Sequence, residues 1–190
     1  MTIIAKIHFL VFILSSLVLA QTHVKSGPTR FLNQVSTIRQ IPLPYYIGNC
    51  GHTRYEPYYD DTLSPVLKSD GRQIVGRIFP HETFVTLVQG FAHFTFVPYL
   101  VTYTKNGDLI DQLLAQSDCG SDLGLDPHSS TLIGADKVIA IFDSLFTKDY
   151  DSKNEYIKGS DRVTISKRTF RLDASGHFKQ VSENHKTIRR

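Results

Sequence analysis

Tight-turn dipeptides recur along this chain and constrain its fold more than any other feature. Asp70-Gly71 lies in "KSDGRQ", Asn106-Gly107 in "TKNGDL", Gly159 in "KGSDR" and Ser175-Gly176 in "DASGHF". Asn-Gly and Asp-Gly tolerate positive φ, which lets a two-residue turn match the twist of the strands it joins. The segments between them are short and rich in β-branched and aromatic residues. They read "QIVGRIF" (73–79), "TFVTLVQG" (83–90), "YLVTYT" (99–104), "KVIAIFD" (137–143) and "DRVTISKRTFRLD" (161–173). Short runs of that composition bounded by turns are strands. The expected fold is therefore all-β or β-rich, an antiparallel meander forming a sandwich or an open barrel.

Three stretches need separate arguments. In "DRVTISKRTFRLD" the apolar residues switch side partway, which predicts a bulge or break near Ser166. "LIDQLLAQ" (109–116) has helical spacing at Leu109, Ile110, Leu113 and Leu114, yet it follows a strand and an Asn-Gly turn. The turn favours a return strand. The prolines of "IPLPYY" (41–46) exclude a central strand, so that segment enters the domain extended or at an edge. Residues 21–40 show weak periodicity and are expected to be a loose N-terminal arm.

The N-terminus carries an export pattern. Lys6 precedes an apolar run, Ile7 to Leu19, and Val18 and Ala20 stand where signal peptidase requires small side chains. A membrane span needs about 20 apolar residues, and this run has 13. The expectation is a signal peptide over 1–20, an arm over 21–40, and one β-rich domain over 41–190 with a short basic C-terminal tail. The protein is then exported, to a periplasm or the exterior, with no membrane span after cleavage. The whole chain has a formal charge of +3. That near-balance does not point to nucleic acid as a partner.

The segments "PYLVTYTKNGDLIDQLLAQSDCG", "KVIAIFD" and "DRVTISKRTFRLDASGHFKQV" resemble a group of small exported bacterial β-meander proteins. The shared rhythm is strand, Lys-Asn-Gly, Leu-Ile-Asp, Leu, closing in a hairpin like Thr169 to Val181, and it covers about residues 41–181. The resemblance implies the fold. It brings no activity and no catalytic residue.

Candidate sites follow from residue chemistry. Cys50 and Cys119 each precede a glycine, in "NCGH" and "DCGS", without a protease signature around them. In an oxidising compartment two cysteines read as one disulfide, or else as two unreactive thiols. Asp118, Asp122 and Asp126 are spaced by four, whereas a calcium loop of the EF-hand type alternates its ligands and closes on glutamate. None of the seven histidines after residue 20 forms HxH or HExxH, so no zinc site is implied. No metal or cofactor is called for. "PYYIGNCGHTRYEPYYDD" brings five tyrosines together, and Tyr55, Tyr58 and Tyr59 are the candidate contact for a protein or glycan partner. The leading reading is a non-enzymatic binding or structural protein of the cell envelope or exterior. The alternative is a secreted hydrolase whose site assembles distant residues such as Asp60, Asp61, His81 or Glu82.

Overall fold

The computed structural model describes residues 28–48, 72–92, 96–116 and 124–189. They form one helix and nine strands: α1 (Pro28–Thr37), β1 (Tyr45–Ile47), β2 (Arg72–Ile78), β3 (Phe84–Ala92), β4 (Phe96–Thr104), β5 (Leu109–Leu114), β6 (Leu125–Ile133), β7 (Val138–Thr147), β8 (Arg162–Leu172) and β9 (Phe178–Arg189). The strands make a four-stranded sheet, β2-β3-β4-β5, and a five-stranded sheet, β1-β6-β7-β8-β9. Every strand pair is antiparallel, and the sheets are not closed into a barrel. The β-rich meander expected from the turn signals is the fold.

One core joins the two sheets. Val75, Phe84, Val88, Leu100 and Leu113 of the smaller sheet cluster with Ile47, Ile133, Ile139, Ile141, Phe170 and Leu172 of the larger. The alternation of each strand places these side chains on one face. The β8–β9 turn fastens the sheets at one side. Thr102 Oγ1 donates to Gly176 O at 2.7 Å, and Phe178 N donates to Asp111 Oδ2 at 2.9 Å. Asp173 holds that turn together, its Oδ1 accepting from Ser175 N and His177 N, each at 2.9 Å.

The outer face of the smaller sheet is also covered. Phe31, Val35 and Ile38 pack on Ile74, Leu87, Val101 and Tyr103 in a second cluster. Residues 28–37, expected to belong to a loose arm, are thus an ordered helix and its seat. The reason lies in the spacing. Phe31, Val35 and Ile38 fall at i, i+4 and i+7, one helical stripe, and Pro28 occupies the first helical position, where its missing N–H costs nothing. A ten-residue helix is marginal alone. Burying three such side chains contributes about 1.5–3 kcal/mol each, so tertiary packing holds it.

Other expectations sort by what surrounds each strand. "LIDQLLAQ" supplies β5, as the turn argued, and Tyr45–Ile47 is an edge strand. No break occurs near Ser166: β8 pairs with β7 without a shift from Arg162 to Arg171. Its apolar residues change side because the covering changes. Phe170 and Leu172 face the shared core, while earlier in the strand that face bears Thr164, Ser166 and Arg168. The shift that exists lies between Thr169 and Phe170 against β9. Two strands replace expected irregular segments. β6 runs through "LDPHSSTLI", which is not among the strand-like runs of the sequence. Pro127 is tolerated there because β1 flanks β6 only at Thr131–Ile133. The C-terminal basic segment is the end of β9, paired with β8 as far as Arg189. Among the described residues, no helix is long and apolar enough to cross a membrane.

Candidate functional site

A recess lies between α1 and the β2–β3 edge, beside a close approach of the chain to Gly76. After α1, the segment Arg39–Ile41 runs parallel to β2, with a bridge between Gln40 and Arg77. Arg77 N donates to Arg39 O at 3.0 Å, and Ile41 N donates to Arg77 O at 2.9 Å. Arg39 adds a side-chain bond, Nε to Val75 O at 2.8 Å. This approach requires glycine in β2. A Cβ on Gly76 would stand 2.5 Å from Ile41 Cγ1 and 3.0 Å from Arg39 O. A register shift at Ile74/Gly76 accompanies it. Such bulges redirect a side chain at a strand edge.

The recess is a cleft of about 380 Å³. Its walls include Val35, Ile78, Phe79 and Val85, and Arg77, His81 and Lys105 share its lining without any carboxylate among the described lining residues. Arg77 is half-buried, and its Nε is buried with no hydrogen-bond partner among the described residues. Lys105 is exposed on the β4–β5 turn, and Glu82 is exposed on an adjoining shallow depression. His81 is stacked on Phe84, with centroids 4.1 Å apart and planes 15° from parallel. Its Nδ1 accepts from Thr83 N at 3.3 Å and lies 3.0 Å from Thr83 Oγ1. Phe79, buried at the cleft, has φ of 50°. An aromatic residue in the left-handed region is an outlier, costing of the order of 1–3 kcal/mol, and such strain clusters at ligand clamps.

A second polar group lies on the inner face of the larger sheet, beyond the core. Ser129 Oγ donates to Asp143 Oδ1 at 2.5 Å, and Arg168 Nη2 donates to Asp143 Oδ2 at 2.8 Å. Gln116 Nε2 donates to Ser129 O at 2.6 Å and to Gly48 O at 2.7 Å. The neighbouring β9 carries His185 Nε2 2.7 Å from Glu183 Oε1. Bonds from the Gln180 and His185 side chains lower the Glu183 pKa. Ser129 is only 1% exposed, so its hydroxyl faces no substrate. The arrangement links β6, β7 and β8.

The residues singled out in the sequence divide sharply. Cys50, Cys119, Tyr55, Tyr58 and Tyr59 lie outside the described residues, as do Asp60, Asp61, Asp118 and Asp122. Asp126 is exposed and paired with His128 at 3.2 Å. Among the described residues no three His, Cys, Asp or Glu side chains gather as a metal site. His81 is the one named residue that the cleft absorbs. Arg77, Lys105 and Phe79 were not singled out. The signals available for them were a glycine inside a strand run, "IVGRI", and a phenylalanine directly before proline.

Among the described residues, fold and cleft comprise two antiparallel β-sheets, a flanking helix and a cationic recess beneath it. No family model matches the sequence, and neither a curated protein nor a solved structure matches it.

Proposed function

We propose that the chain is an exported, non-enzymatic binding protein of the cell envelope or exterior, and that the cleft beside α1 receives its ligand. The observation that carries this reading is the convergence of two cationic residues, Arg77 and Lys105, on an apolar-walled recess bordered by the left-handed Phe79. Ligand sites have this composition: mostly apolar walls with a few convergent polar groups. The helix and the Gly76 approach pre-form it, so little ordering cost falls on binding.

Export rests on the Ile7–Leu19 run and the Val18/Ala20 pattern. The tyrosines at 55, 58 and 59 remain the proposed contact with a protein or glycan partner. The hydrolase alternative gains no support from His81, whose ring is occupied by Phe84 and Thr83. Nor does Ser129 support it, since that hydroxyl is buried against a carboxylate held by arginine.

The test is an amide chemical-shift screen of the folded protein against a fragment set containing neutral, cationic and anionic members. Binding in the cleft displaces amides of residues 33–40, 77–86 and 105 together. Hits that gather elsewhere, or turnover of any fragment, would contradict the reading.

A further inference from the structure

We infer that the cleft selects a small organic anion with an apolar body, a carboxylate being the simplest headgroup. The inference rests on the proposed binding role and adds the chemistry of the ligand. Three observations support it.

First, the sign of the lining is uniform. Arg77 and Lys105 contribute its charge, and no carboxylate does among the described lining residues. Polar surface lined by one sign in a low-dielectric recess concentrates the opposite charge. Second, Arg77 is presented for use. Its backbone N–H and C=O are both bonded to the Arg39–Ile41 segment, which fixes the residue where it lines the cleft. A guanidinium offers a planar fork that matches a carboxylate in two parallel bonds. Third, the walls are not those of a bare-ion site. Val35, Ile78, Phe79 and Val85 give the space an apolar side that inorganic phosphate would leave uncovered. A volume of about 380 Å³ is near the lower end for ligand pockets. It suits a short-chain or single-ring acid rather than a polymer.

The test uses hexanoate, with hexanamide matched in shape and inorganic phosphate matched in charge sign. Each is titrated into the full folded chain while cleft amide shifts are followed. Hexanoate is expected to bind roughly tenfold or more tighter than hexanamide, the ratio for a charged hydrogen bond, and phosphate more weakly than hexanoate. Arg77→Gln should remove most of the preference for hexanoate over the amide, leaving only the several-fold part owed to Lys105. Lys105→Gln, on an exposed turn that leaves folding intact, should weaken hexanoate several-fold and hexanamide not at all. Equal binding of hexanoate and hexanamide in the cleft would overturn the anion selectivity and leave the binding role standing. Phosphate binding as tightly as hexanoate would overturn the apolar body. Unchanged hexanoate affinity in both variants would overturn the assigned headgroup contacts. Failure of all three ligands to move cleft amides would overturn the inference. If the fragment set then also spared the cleft, the binding role itself would fall.

Discussion

Replacing Gly76 by alanine places a methyl carbon where Ile41 already sits. The new Cβ would lie 2.5 Å from Ile41 Cγ1, 2.8 Å from its Cδ1 and 3.0 Å from Arg39 O. Carbon–carbon contacts are optimal at about 3.5–4.0 Å, so Ile41 must retreat by roughly 1 Å. It has little room, being only 4% exposed and part of the shared core. Overpacking of this kind costs about 1–3 kcal/mol. Alanine also removes freedom from the unfolded chain, returning about 0.4–1 kcal/mol. The net expectation is a loss of about 1–2 kcal/mol, read by urea denaturation. In a domain of this size that is a fall of roughly 2–8 °C in melting temperature. The distinguishing control is Ile41→Ala, which deletes both clashing atoms and alone costs about 2–5 kcal/mol. If the clash is the cause, the double variant loses at least about 1 kcal/mol less than the sum of the singles. Strict additivity, or a Gly76→Ala loss under about 0.5 kcal/mol, would refute the argument that Gly76 admits the Arg39–Ile41 segment.

Gly107→Ala combines a φ of 90° with a Cβ 2.9 Å from Phe31 Cδ2. It should cost about 2 kcal/mol or more and accelerate amide exchange in α1; unchanged α1 exchange would show the turn and helix to be independent. Asp143→Ala removes the acceptor shared by Ser129 and Arg168 and should cost about 1–3 kcal/mol. Asp149→Ala, which breaks the exposed pair with Arg162, should cost no more than about 1 kcal/mol; the reverse order in denaturation would contradict the part-buried network. Asp173 has its pKa lowered from 3.8 to about 2, first by the His177 backbone N–H and then by the Ser175 side chain. A carboxylate depressed on folding contributes stability above its unfolded pKa, and this is lost as pH falls from about 4 toward 2. Asp173→Asn should flatten that part of the acid unfolding curve, and a carbon-detected titration placing Asp173 near 4 would refute the turn's hold on it.

Local chemistry made much of the fold legible. Asn106-Gly107 and Ser175-Gly176 mark real hairpins, and the glycine of each has positive φ. The β-branched runs locate β2, β3, β4, β7 and β8, because each has a face on a core. β6 escaped because Pro127 and its polar neighbours suit an edge, and whether a strand has a neighbour there is a tertiary fact. β9 was expected only as far as Val181, and its remainder escaped for a related reason. From Lys179 to Arg189 every residue is exposed, so no alternation survives to be read. The stripe of Phe31, Val35 and Ile38 was present but brief, and only its seat on Ile74, Leu87 and Val101 makes it a helix. The cleft was least legible. Arg77 and Lys105 lie on different hairpins, and a shared recess depends on how closely the segment after α1 approaches β2. Gly76 was visible as a glycine within a strand, which signals close approach. The sequence does not say what approaches.

The most direct test of the binding role is to fill the cleft without disturbing the fold. Ser36 lines it from the exposed side of α1, where its hydroxyl only bonds back to Asn33 O at 2.7 Å. Ser36→Phe should keep the wild-type melting temperature within about 2 °C, since an exposed substitution changes stability by about 0.5 kcal/mol or less. Fragments that shift the cleft amides of the unaltered protein should no longer do so in this variant. Undiminished binding by a fully folded Ser36→Phe protein would place the ligand elsewhere and contradict the account.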